Sequence, residues 1–154
     1  MGEILRRRIR QNRFETPFQE AGLNLMVASN HVREECERAA ATFGITLPQY
    51  NVLRILRGVH PAGHPRCEIA ARMLDRAPDV TRLIDRLEEK ELVERSRAGA
   101  DRRQSITRIT EKGLGLLREA DPAVRGVFDR IEQRLSSEDC AALSRICEVI
   151  YGGD

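Results

Sequence analysis

The stretch PDVTRLIDRLEEKELVERSRAGADRRQSITRI, Pro78 to Ile109, carries two periodicities in succession. Val80, Leu83, Ile84 and Leu87 recur at i, i+3, i+4 and i+7, the apolar stripe of a helix that predicts an element over Pro78 to Lys90. Leu92 to Arg97 and Gln104 to Ile109 then show the alternating, β-branched character of strands, with Gly99 in the turn between them. Arg95, Arg97, Arg102 and Arg103 crowd around that turn, and Arg108 follows. Like charges packed this closely repel, so the tip is destabilising unless an anion offsets it.

The flanks are helical. Upstream, Asp75 to Ala77 reads as a tight turn, preceded by a short helix, roughly Cys67 to Leu74, with Ile69, Ala70 and Met73 facing inward. VHPAGHPR, Val59 to Arg66, reads as a loop from its Pro and Gly content. Before it, Thr46 and Gln49 form a capping box for a helix carrying Val52, Leu53, Ile55 and Leu56, and Gly58 stops it. A long first helix opens at Thr16, Pro17 and Gln19. Its apolar residues run through Phe18, Ala21, Leu25, Ala28, Val32, Cys36, Ala39 and Phe43, and Gly44 ends it. Downstream, Thr110 caps a helix that Pro122 is expected to kink or interrupt. Ser136 and Asp139 open a last helix, with Leu143, Ile146, Cys147 and Ile150 on its expected buried face.

The whole chain bounds these readings. Its 154 residues fit one domain with a proper core, and 41% apolar with 32% charged residues fits a globular protein. No apolar run approaches the ~20 residues of a membrane span. The basic N-terminal arm (Arg6, Arg7, Arg8, Arg10, Arg13) is followed by no apolar signal segment, so a cytoplasmic location is expected, with no membrane partner. Cys36, Cys67, Cys140 and Cys147 are scattered without a C-x-x-C and read as free thiols. The net charge is only +2, so a basic patch must arise from placement. No nucleophile motif, phosphate-cradling glycine loop or paired carboxylates beyond solvated helix faces appear, which argues against an enzyme and implies no cofactor.

Short helix, tight turn, amphipathic helix and basic hairpin, in that order, describe a winged helix-turn-helix. The expected fold is mainly α with a small β-hairpin wing. The second helix of the pair fits the DNA major groove, and the hairpin reaches the backbone or the adjacent minor groove. The residues assigned to DNA are Pro78, Asp79, Thr81, Arg82 and Arg86 on the helix, and Arg97, Arg102 and Arg103 on the wing. Asp85 either accepts from a cytosine amine or holds a neighbouring arginine. The competing reading of the same scaffold is a helical protein-interaction module without DNA contact.

EIAARMLDRAPDVTRLIDRLEEKELVERSRAGADRRQSITRITEKGLGLL, Glu68 to Leu117, resembles the core of the MarR (multiple antibiotic resistance regulator) family. The marks are VTRLIDRLEEKELVER, the wing motif Asp101-Arg102-Arg103 and the T-E-K-G helix opening, with a weaker match through LPQYNVLRILRG. One departure stands out: Glu91 occupies a position where the family usually has glycine. The resemblance implies one domain over 1–154, with dimerisation helices at 16–44 and 111–151 flanking a DNA-binding lobe at 46–110. It implies a homodimer on an inverted-repeat operator of double-stranded DNA, acting as a repressor released by a small-molecule effector. Asp101 would shape the wing, and Arg102 and Arg103 would face DNA. His31 and Tyr50 are candidates for an effector pocket. His60, His64 and Cys67 lie close together but supply too few ligands for a metal site, so no metal is assigned. A redox- or metal-responsive regulator of the same fold is the alternative.

Overall fold

The computed structural model describes residues 2–75, 79–97 and 105–152, with Arg97 described by its backbone alone. Helices α1 (Glu3–Ile9), α2 (Pro17–Ala41), α3 (Leu47–Arg57), α4 (Arg66–Arg72), α5 (Val80–Glu89), α6 (Glu111–Glu132) and α7 (Ser137–Tyr151) accompany a small antiparallel sheet. Its strands are β1 (His64–Pro65), β2 (Val93–Arg97) and β3 (Ser105–Ile109), in the order β1-β3-β2. This is the mainly helical architecture with a hairpin wing that the sequence predicts.

Side-chain caps set the helix starts. Thr46 Oγ1 accepts from the Gln49 amide at 3.3 Å, and Gln49 Oε1 accepts from the Thr46 amide at 3.0 Å, closing the box at the head of α3. Ser136 and Asp139 close the same box on α7. At α2 one bond differs. Thr16 accepts from the Gln19 amide, but the Gln19 side chain accepts from the Glu15 amide rather than from that of Thr16.

The core centres on α3, whose Val52, Leu53 and Leu56 are wholly buried. They meet Ile69 of α4, Ile84 and Leu87 of α5, Val93 of β2 and Leu117 of α6 in one cluster. Each such side chain stabilises the fold by about 1.5–3 kcal/mol relative to exposure. The cluster therefore fixes α5 and the hairpin against α3. Gly113 lets α6 start directly under the hairpin, since a Cβ there would overlap the Leu92 carbonyl oxygen.

Several expectations are corrected. His64–Pro65 is not loop but a short edge strand, pairing His64 with Thr107 and Pro65 with Ile106. The approach requires Gly63, which has φ 76° and lies so close to the Thr107 carbonyl that no Cβ fits. Proline is tolerated because the strand is at the edge. The first part of the basic N-terminal arm, for which the sequence gives no element, lies in α1, with Leu5 buried and Arg6 stacked over the Phe14 ring at 5.6 Å. Pro122 does not interrupt α6. Leu117, Ala120 and Val124 are buried on either side of it, and Asp121 is bonded by Tyr50 and Arg57 of α3, so tertiary contacts hold the helix through the missing donor. Finally, no residue of α7 is buried. Leu143, Ile146 and Ile150 are 49%, 47% and 58% exposed, so the stripe exists but the described residues leave about half of it uncovered. Phe18 and Met26 of α2 are open in the same way.

Candidate nucleic-acid interface

Helix α5 begins at Val80, two residues later than expected, because Asp79 is its N-cap. Asp79 Oδ1 accepts from the Arg82 amide at 3.2 Å. Its carboxylate therefore stabilises the helix start. Val80, Ile84 and Leu87 are buried, while Thr81, Arg82 and Arg86 are exposed on the opposite face. Among the described residues neither Arg82 nor Arg86 has an ion-pair partner, and both side chains are exposed. Pro78, Asp101, Arg102, Arg103 and the side chain of Arg97 lie outside the described residues. The Arg97 backbone pairs with Ser105 at the outer end of the hairpin.

Arg95 has a different role from its neighbours in sequence. Its Nε donates to Glu88 Oε2 at 2.8 Å, and its guanidinium also pairs with Asp85 at 2.7 Å. The Arg95 amide donates to Glu88 Oε1 at 3.2 Å. The Arg95 guanidinium holds the Glu88 carboxyl below its ordinary range. Of the two roles open to Asp85, the structure gives it the second, holding an arginine. Arg95 is thus removed from the free positive charge and ties the base of the wing to α5. Arg108 donates across the hairpin to Ser96 Oγ.

Glu91, between α5 and β2, takes the left-handed backbone with φ 59° that glycine adopts without strain. Two contacts from the head of α6 hold it: Thr110 Oγ1 donates to its carbonyl at 2.8 Å, and Lys112 Nζ donates to its carboxylate at 2.8 Å. The Lys112 hydrogen bond pulls the Glu91 carboxyl down.

The two candidate effector residues do not share a cleft. Tyr50 lines a cleft of about 610 Å³ between α3 and α6, together with Arg54, Arg57, Asp121 and Phe128. Its hydroxyl donates to Asp121 Oδ1 at 2.8 Å, and Arg57 pairs with the same carboxylate. Burial, followed by the Asp121 hydrogen bond, pushes the phenol up to about 12. Burial works against the Asp121 charge, but the hydrogen bonds from Arg57 and Tyr50 outweigh it and keep the carboxyl low. Arg54 lies 5.9 Å over the Tyr50 ring. His31 instead lies exposed on α2, lining a separate hollow with Glu35, Arg130 and Arg134. The α3 residues Tyr50, Arg54 and Arg57 share one helical face, which the sequence contains. Their partner Asp121 is 64 positions beyond Arg57, and no local pattern links the two. Among the described residues no group of three or more His, Cys, Asp or Glu side chains could hold a metal. Cys36 is buried and its thiol is pushed up by that burial, whereas Cys67 and Cys140 are exposed.

A short helix, a second helix with an exposed arginine face and a hairpin tied beside it make this a winged helix-turn-helix protein. The model of the MarR family matches residues 45–105. The solved MarR transcription factor of Planctomyces limnophilus is 37% identical, over 89% of this chain and 99% of that one, with a TM-score of 0.69. The HTH-type transcriptional regulator MhqR of Bacillus subtilis (strain 168) is 33% identical over 96 residues, 62% of this chain and 65% of MhqR. The chain thus spans a little under two thirds of that relative's length. The transcriptional repressor CouR bound to a 23-mer DNA duplex is 27% identical, over 90% of this chain and 99% of that one, with a TM-score of 0.75. The chain belongs to the MarR family.

Proposed function

We propose that the protein is a cytoplasmic, homodimeric repressor that binds an inverted-repeat operator through α5 and the wing. The observation that carries this reading is the outer face of α5. Thr81, Arg82 and Arg86 stand exposed, with no ion-pair partner for either arginine among the described residues, beside a hairpin tied to the same helix by Arg95. Arginine suits both phosphate and guanine because its planar fork donates two hydrogen bonds at once. Asp101, Arg102 and Arg103 complete the reading at the wing tip, the first shaping it and the other two reaching DNA. The solved DNA complex of CouR supports the same use of the fold.

The half-exposed apolar stripe of α7, with Phe18 and Met26 of α2, supports a dimer built from the long terminal helices. Two recognition helices about 34–36 Å apart then meet successive major grooves. A small molecule in the Tyr50 cleft would sit between α3, in the DNA-binding lobe, and α6, in the dimer, where it could bias the spacing of the two lobes.

The test is selection of duplexes from a random library, followed by a salt series on the most enriched one. Wild type should bind tightly with a steep salt dependence. Arg102→Ala/Arg103→Ala should lower the slope by about one unit per lost phosphate contact. The reading is wrong if no duplex is enriched, or if affinity for the enriched duplex matches that for a scrambled one.

A further inference from the structure

Helix α5 is tied to the α2 side of the molecule at its C-terminal end, and the segment that precedes it is tied there at Asp75. At its C-terminal end the ammonium of Lys90, the C-cap residue, donates to the carbonyl of Gly44, just beyond α2. On its N-terminal side the tie runs through the segment between α4 and α5. Arg33, in the middle of α2, meets Asp75 in a two-pronged pair: Nη1 donates to Oδ2 at 2.9 Å and Nη2 to Oδ1 at 2.8 Å. The partners are 42 residues apart in sequence. Among the described residues this is the one hydrogen-bonded or ionic link between α2 and residues 66–89. The planar fork fixes direction as well as distance, which a lysine in its place would not do. The contact also joins α2, the long helix of the proposed dimer, to the segment that leads into α5.

We propose that Arg33 and Asp75 are positioning residues for DNA binding: they set the angle at which the dimer helix presents α5 to the operator. The inference rests on the reading of α5 as the helix that meets DNA. Neither residue touches DNA in this arrangement; both act through the chain that joins Asp75 to α5. An ordinary half-exposed ion pair would leave DNA binding unchanged when removed. A long-range charge effect would give opposite signs: Arg33→Gln removes a positive charge and would weaken binding, and Asp75→Asn removes a negative one and would strengthen it. A positioning contact gives the same sign for both.

The experiment uses the full chain and the most enriched duplex from the selection above. Affinity is measured for wild type, Arg33→Gln, Asp75→Asn, Arg33→Lys and the exchange Arg33→Asp/Asp75→Arg, with thermal midpoints taken alongside. Both neutralising changes should weaken binding by about two- to fivefold, the range open to a pair this exposed. Arg33→Lys should recover part of the loss, and the exchange most of it, with midpoints and salt slope close to wild type. The inference is overturned if Asp75→Asn tightens binding while Arg33→Gln weakens it, or if neither changes it. Wild-type protein that enriches no duplex overturns the DNA reading itself and the inference with it, an outcome distinct from a wild type that binds and variants that bind equally.

Discussion

Tyr50→Phe removes one oxygen from the α3–α6 contact and has a worked pH signature. The Tyr50 phenol is held at about 12, against an ordinary value of about 10. The folded chain therefore keeps this proton over a range where the unfolded chain has released it. Stability from this source is fully present below about pH 10 and is lost as pH rises towards 12. The slope is about 1.4 kcal/mol per pH unit, roughly 2.7 kcal/mol across the window. At neutral pH the variant should be less stable by about 1.5–3 kcal/mol, because the hydrogen bond to the charged Asp121 is gone. Urea unfolding followed by circular dichroism, from pH 8 to 11.5 at matched protomer concentration, gives both curves; matching matters because association shifts apparent stability. Every other ionisable group is shared by the two proteins and cancels in the difference. The gap between wild type and variant should narrow steadily above pH 10. Curves that stay parallel to pH 11.5 would refute the assignment of the raised pKa to a buried phenol bonded to Asp121.

Ile146→Asp places a carboxylate on the open stripe of α7. Association should weaken by at least about tenfold in sedimentation velocity while helix content is kept, since each copy forfeits apolar burial and adds a charge to desolvate. Thr46→Ala removes the cap of α3 and should cost about 1 kcal/mol in urea unfolding. Gly113→Ala drives a methyl group into the Leu92 carbonyl and should cost about 1–3 kcal/mol, seen as a lowered thermal midpoint.

What could be read from the sequence was local, and what could not was long-range. The caps at Thr46, Thr110 and Ser136 and the stripe of α5 each lie within a few residues of the group they act on, and periodicity or spacing records them. Strand β1 depends on Gly63 fitting against a carbonyl some forty residues later, and its two residues carry no strand pattern. Helix α1 is short and rich in arginine, with Leu5 as its single buried residue, so no apolar stripe announces it. Pro122 obeys a local rule that packing overrides. At the interface, the exposed face of α5 was legible, but the fate of Arg95 was not: charge clustering placed it with the wing arginines, whereas the twist of the hairpin turns it back onto Asp85 and Glu88. Tyr50 was singled out without its partner, because Asp121 lies on another helix.

The Arg95 contacts have a mechanical consequence. One guanidinium held by two carboxylates couples the root of the hairpin to α5, so a shift of one is resisted by the other. In the proposed complex one part sits in the major groove and the other against the neighbouring backbone or minor groove, and the coupling biases their offset. Such a coupled pair works as a gauge. DNA whose grooves are wider, narrower or differently wound brings its phosphates to the wrong place even when every contacted base is correct, and sequences that deform easily towards the gauge are favoured over stiff ones.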